Sequence, residues 1–262
     1  MRLFRRKRIK PEPLANPSLQ DRFPDVESDI IKIINEVIEY TMTSPERIIA
    51  LCQSIDYVEQ NSIKGAIVEC GVWRGGSMMA AALRLLHNAA ARNEQPQRQL
   101  WLYDTFDGMT QPGSKDVDFL GQDAGTLLGI QDRFDPNSVW CYSRLDQVKQ
   151  AIFSTLYPES LSHFVVGPVE TTIPQQIPEQ IAILRLDTDW YQSTKHELVH
   201  LIPRLCPGGV LIVDDYGHWA GCRQAVDEYL AENNITMFLN RVDYTCRLGI
   251  YQPETQSDKK AA

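Results

Sequence analysis

The stretch GAIVECGVWRGGS, residues 65–77, decides the fold. It opens as a short apolar run, passes through a glycine-rich turn, and leads into an Ala/Met/Leu segment from about Ser77 to Ala90. A buried strand, a tight turn and a helix in that order make half of a βαβ unit. Outward from it, short apolar runs recur, each closed by an acid or a glycine. They are Leu100 to Tyr103 before Asp104, His163 to Val166 before Gly167-Pro168, Ile181 to Leu186 before Asp187, and Val210 to Val213 before Asp214-Asp215. Between the last two, Leu198, Leu201, Ile202 and Leu205 follow helical spacing behind a predicted capping box, Thr194-x-x-Glu197, and Pro207-Gly208-Gly209 reads as a helix stop and turn. After a helix carrying Ala225, Val226, Tyr229 and Leu230, two β-like runs follow, Thr236 to Leu239 and Cys246 to Tyr251. They lie too close together for a crossover and predict an antiparallel closing pair. The alternation as a whole predicts an α/β, doubly wound, mainly parallel sheet.

Ahead of the first strand, Ile34, Val37, Ile38 and Met42 recur at helical spacing. Ser44-Pro45 then supplies an N-cap and first-turn proline for a helix carrying Ile48, Leu51, Cys52 and Ile55. These predict an N-terminal helical layer. Residues 1–28 read as a flexible basic tail, 29–252 as one domain and 253–262 as a C-terminal tail. The irregular stretch 107–137 is longer than structural loops usually are and is expected to be a lid.

Composition narrows the function. The 262 residues are 43% hydrophobic and 23% charged with a net charge of −8, the profile of a globular protein. Six of the 26 cations fall within the first ten residues, so the remaining body is more acidic still and ill suited to a nucleic-acid groove. No apolar run is long enough for a transmembrane segment, and no signal-peptide core follows the basic start. A cytoplasmic protein is expected. Six cysteines without a C-x-x-C pair signal neither a zinc site nor a disulfide framework.

In such a sheet, ligands bind outside the carboxyl ends of the strands. Glu69-x-Gly71 through Gly75-Gly76-Ser77, with Asp104 ending the next strand, reads as a nucleoside pocket. The glycines admit a ligand to the backbone, the following helix N-terminus offers free N–H groups, and the acid suits ribose hydroxyls. The spacing is not the G-x-G-x-x-G of dinucleotide binders. Asp187-Thr188-Asp189 and Asp214-Asp215 end neighbouring strands, about 4.8 Å apart, and would converge. Such a cluster calls for a hard cation, Mg²⁺ rather than Zn²⁺. His218 lies three residues beyond this strand end and is a candidate base or substrate contact. His196 and His200 read as a solvated helix face, and Trp190, Tyr191 and Tyr216 as a stacking wall or as core.

The stretches VECGVWRGGS (68–77), LYDTFDGM (102–109), WCYSRLDQV (140–148), FVVGPVETTIP (164–174), LRLDTDWYQST (184–194) and PGGVLIVDDYG (207–217) resemble the macrocin O-methyltransferase family. The resemblance runs from about residue 28 to 252. It implies a class I methyltransferase (Rossmann-like) fold with seven strands, and S-adenosylmethionine and Mg²⁺ as cofactors. It also implies a glycosylated or hydroxylated small-molecule acceptor and a homo-oligomer. By the same resemblance Glu69, Gly71 and Ser77 contact the methionine half of the cofactor and Asp104 its ribose, while Ser143, Gly167 and Glu170 lie near the adenine. Asp187, Asp214 and Asp215 hold the metal, with Asp187 as general base. A carboxylate bound to a cation is a poor base, so Asp189 or His218 is expected to share that role. The chain has Asp-Thr-Asp where the family usually reads Asp-Gly-Asp, and Tyr-Gln-Ser-Thr where it often reads Tyr-Glu-Ser-Thr, both beside the acceptor. The expected reaction is in-line methyl transfer from a sulfonium to a hydroxyl that the metal acidifies. Two alternatives remain: a glycosyltransferase using Asp187-x-Asp189, and a nucleoside-binding module without chemistry.

Overall fold

The computed structural model describes residues 17–253. The basic cluster of the first ten residues lies outside them. Along the chain run α1 (Leu19–Arg22), α2 (Ser28–Val37), α3 (Pro45–Gln60), β1 (Ala66–Cys70), α4 (Gly76–Ala91), β2 (Leu100–Asp104), α5 (Ala124–Ile130), α6 (Leu145–Ser154), β3 (Ser162–Val166) and α7 (Val169–Thr172). The second half adds β4 (Ile181–Leu186), α8 (Tyr191–Leu201), β5 (Leu205–Val213), α9 (Ala220–Glu232), β6 (Asn240–Arg241) and β7 (Arg247–Ile250). The strands form one sheet in the order β3-β2-β1-β4-β5-β7-β6, parallel through β5 and antiparallel at β7 and β6.

Because β1, β4 and β5 are covered on both faces, their residues are almost wholly apolar. Residues of α2, α3, α4 and α6 pack on one face of the sheet, and α5, α8 and α9 with Trp190 and Trp219 on the other. Strand order reverses between β1 and β4, which opens a crevice there. Backbone bonds continue the ladder past the strand ends: Gly71 N–H donates to Tyr103 O, Asp187 N–H to Cys70 O and Asp214 N–H to Leu186 O. Three functional segments therefore leave the sheet side by side.

The N-terminal layer forms as expected: Ser44 caps α3 by accepting from Arg47 N–H, with Pro45 in the first turn. Four local expectations differ. Part of the segment read as tail is folded, since Ser18 and Asp21 make a capping box for α1 and Val26 joins the core. α8 begins at Tyr191, ahead of the Thr194-x-x-Glu197 box, because its first N–H finds a cap from elsewhere: Asp116 Oδ1 accepts from Tyr191 N–H at 2.8 Å. Thr194 and Glu197 are inside the helix, and Glu197 accepts from Thr188 Oγ1. Pro207-Gly208-Gly209 lies within β5, where pairing with β4 shifts register, and Thr236 to Leu239 stays unpaired until β6.

Candidate active site

The glycine-rich loop is held by its neighbours. Gly71 has φ +87°, and a Cβ there would stand 1.9 Å from Asp187 O, so only glycine lets β1 turn beside β4. Gly75, at φ +92°, opens α4 without a side-chain cap, leaving first-turn N–H groups available to an anion. Asp104 braces this loop: Oδ2 accepts from Val72 N–H (2.7 Å) and Trp73 N–H (3.1 Å), and Oδ1 accepts from Phe106 N–H (2.7 Å). Burial pushes its carboxyl up while those amides pull it down. Asp104 therefore shapes the loop, and it also lines the cavity with acceptor capacity left over.

The acids converge as expected. Asp187, Asp214 and Asp215 each offer a carboxylate oxygen, and these oxygens lie within 4.8 Å of one another. Burial raises Asp187 and Asp215 well above the carboxylate range, and neighbouring acids add to the rise. Asp189, at φ +68°, is raised to about 7 by burial. Strained non-glycine residues gather here, Trp73 and Cys141 also having positive φ, as is common at functional sites. Among the described residues Asp215 Oδ2 and Asp214 Oδ1 are buried without a hydrogen-bond partner. Hard oxygen donors, two of them without a hydrogen bond, suit a divalent cation.

Two arginines hold the cluster, and the sequence reading missed both. Arg185, 3% exposed, lies within β4. Its Nη1 donates to Glu69 Oε1 and to Asp187 Oδ2 (2.6 Å), and its Nη2 donates to Thr43 Oγ1 (3.1 Å). Nη2 also stands 2.7 Å from Asp214 Oδ1, though not aligned as a hydrogen bond. Arg47, from the first turn of α3, pairs with Asp214 Oδ2 through Nη1 and with Asp243 Oδ2 through Nε (2.6 Å). Glu69 is 1% exposed, and burial raises it to about 8 against the pull of Arg185. The signal available was Arg185 itself, since a charge inside a strand buried on both faces must be paired.

One cavity of about 310 Å³ joins the two groups, within the range of small-molecule sites. Glu69, Gly71, Ser77, Asp104, Gly167 and Glu170 line one part, and Asp187, Asp189, Asp214, Asp215 and His218 line the other. Ser143 is buried nearby with an unpartnered hydroxyl, but it does not line the cavity, whereas Ser138, Val139 and Cys141 do. Of the two readings open for Trp190, Tyr191 and Tyr216, the stacking wall does not form, since none of them lines the cavity. Trp190 is core, its Nε1 donating to Thr110 O, and Tyr191 and Tyr216 bond to Glu228 and Asp227. In their place Phe119 (58% exposed), His218 and Tyr244 (53%) meet edge to face, with His218 and Tyr244 at the cavity. Burial lowers His218, which favours the neutral imidazole.

Within the expected lid, Asp116 ties the segment down. Besides capping α8 it accepts from Gly113 N–H, and Val117 and Asp118 bridge to Asp123 and Trp219. Asp118 Oδ1 accepts from Leu120 and Gln122 N–H, fixing the turn that presents Phe119.

Comparison with known proteins gives this geometry a family. The model described as Macrocin-O-methyltransferase (TylF) matches residues 34–249. The chain is 30% identical over 253 residues to 8-demethyl-8-(2,3-dimethoxy-alpha-L-rhamnosyl)-tetracenomycin-C 4'-O-methyltransferase of Streptomyces olivaceus, covering 95% of this chain and 85% of that one. It is 30% identical over 217 residues to demethyldecarbamoylnovobiocin O-methyltransferase of Streptomyces niveus, covering 83% and 76%. Among solved structures, the O-methyltransferase NovP superposes with a TM-score of 0.68 at 29% identity, over 82% of this chain and 83% of that one. The fold is that of class I methyltransferases. The family match spans both the glycine-rich loop and the aspartate cluster, and the chain belongs to the macrocin-O-methyltransferase (TylF) family, enzymes that methylate oxygen.

Proposed function

We propose that this enzyme transfers a methyl group from S-adenosylmethionine to a sugar hydroxyl of a glycosylated small molecule, with a divalent cation such as Mg²⁺ at Asp187, Asp214 and Asp215. The observation that carries the reading is the single cavity lined by both the glycine-rich loop and the aspartate triad. When bound, the cofactor supplies an electrophilic methyl group and the cation lowers the pKa of the acceptor hydroxyl. The chain does the rest by placement. The open N-terminus of α4 suits the carboxylate of an amino acid, and the unpartnered Oε2 of Glu69 suits its ammonium group. Gly167 and Glu170 extend this side of the cavity.

On the acceptor side Asp187 is engaged by Arg185 and would be a ligand of the cation, so its oxygens are committed to those partners. Asp189 has no arginine partner among the described residues and lines the same wall. It is the better placed of the two to take the hydroxyl proton, with His218 a second candidate on the same cavity. His218 and Tyr244, with Phe119 packed against them, give an aromatic surface suited to the body of the acceptor. The name of one relative supports a sugar acceptor, since it methylates a rhamnosyl tetracenomycin, and another is named for demethyldecarbamoylnovobiocin. The glycosyltransferase and non-catalytic readings are dropped on family grounds. Calorimetric titration with S-adenosylhomocysteine, followed by transfer assays with glycosides in MgCl₂ and in chelator, tests the proposal. Micromolar binding and chelator-sensitive transfer are expected; no binding overturns the cofactor assignment, and full transfer in chelator overturns the cation.

A further inference from the structure

Arg185 is deeply buried, and the chemistry above gives it no task beyond holding Asp187. Register places it directly opposite Glu69 across β1 and β4, and Asp187 follows two residues on, so all three side chains lie on one face. One nitrogen, Nη1, serves both Glu69 Oε1 and Asp187 Oδ2, and the other stands at Thr43 Oγ1 and Asp214 Oδ1. A single guanidinium thus touches the acid of the cofactor side and two acids of the cation side. We propose that Arg185 is a positioning residue that makes cofactor binding and cation binding cooperative, by sharing its guanidinium between Glu69 and the pair Asp187 and Asp214. The proposal rests on the reading of the two half-sites given above.

The reason is competition for donors. While Asp187 and Asp214 draw on Arg185, Glu69 has only a share of Nη1, and its Oε2 has no hydrogen-bond partner among the described residues. A cation that takes up the charge of Asp187 and Asp214 leaves Arg185 to Glu69, fixing that carboxylate before the cofactor arrives. A preorganised partner binds more tightly, because less freedom is lost on binding. Linkage makes the effect reciprocal, so the cofactor strengthens cation binding by the same factor. The planar fork is essential, since the ammonium of a lysine cannot span three carboxylates in fixed geometry. Arg47 is the internal control: it bonds to Asp214 and Asp243 and makes no bond to Glu69.

The test is calorimetry on the full chain, titrating S-adenosylhomocysteine with saturating MgCl₂ or with chelator, and MgCl₂ with or without S-adenosylhomocysteine. In the wild type each ligand should tighten the other at least about fivefold, the lower end of ordinary couplings. Arg185→Lys should bind each ligand alone but bring the ratio to about one, whereas Arg47→Lys should keep the wild-type ratio. Thermal melts establish that each variant is folded. If Arg185→Lys does not fold, Glu69→Gln, which keeps shape and removes charge, must lose the ratio. Two ligands that bind the wild type independently, or a ratio retained in Arg185→Lys or Glu69→Gln, overturn the proposal. Absence of S-adenosylhomocysteine binding overturns the cofactor reading, and absence of Mg²⁺ binding the cation reading.

Discussion

The two halves of the cavity are built in opposite ways. The cofactor half is made largely of backbone: glycines at positive φ, open amides at a helix start, and an aspartate whose bonds go to main-chain N–H groups. Its central pieces come from residues 69–77 and 104, two neighbouring strands joined by one crossover. The acid half is made of side chains whose charges would repel one another without Arg185 from β4 and Arg47 from α3, 138 positions apart in the chain. A backbone site tolerates changes of side chain except where a Cβ cannot fit, while a charge cluster is sensitive to every partner it has.

The sharpest way to break the comparison is Gly71→Ala, where the halves touch. Positive φ and a Cβ driven into Asp187 O should cost about 3 kcal/mol and abolish S-adenosylhomocysteine binding. Thermal melts and titration read both effects, and a stable variant with normal affinity would contradict the close approach. Asp214→Ala attacks the acid half alone. It should remove the Mg²⁺ heat and lower turnover by about 10²–10³-fold, leaving cofactor affinity in chelator nearly intact. Asp104→Ala attacks the backbone half. Losing an ionised acceptor of three N–H groups should destabilise the loop by about 2–4 kcal/mol and weaken S-adenosylhomocysteine binding, with Mg²⁺ affinity unchanged by calorimetry.

Smaller effects sharpen the boundary between the site and its surroundings. Asp116→Ala removes the cap of α8 and should lower stability by about 1 kcal/mol, with faster amide exchange across residues 110–124. Phe119→Ala should raise the acceptor KM by about fivefold, as expected for one lost aromatic contact, with melting temperature and cofactor affinity unchanged. A raised cofactor Kd instead would place Phe119 in the other half.

Legibility followed the same division. The run 65–77 announces strand, turn and helix locally, and Asp187, Asp214 and Asp215 are visible because strand ends in a doubly wound sheet share one rim. Arg185 is hidden within the run Ile181 to Leu186, whose five apolar residues outweigh its one charge. Arg47 sat in an unremarkable helix start, and nothing in its neighbourhood named Asp214. The capping box failed for a related reason, as a long-range cap from Asp116 outcompeted the local one. Trp190, Tyr191 and Tyr216 were near the acids in sequence but were claimed by the core and by helix carboxylates.

By itself the sequence determined the alternation of strands and helices and which acids end which strands. These follow from periodicity and turn chemistry, which act over a few residues. Tertiary structure decided which cations neutralise the acids, that Asp104 also braces the loop, and that His218 and Tyr244 rather than Trp190 line the cavity. Ion pairs and rims depend on what the fold brings within a few ångströms across the chain, and electrostatic attraction carries no trace of that distance in the local pattern.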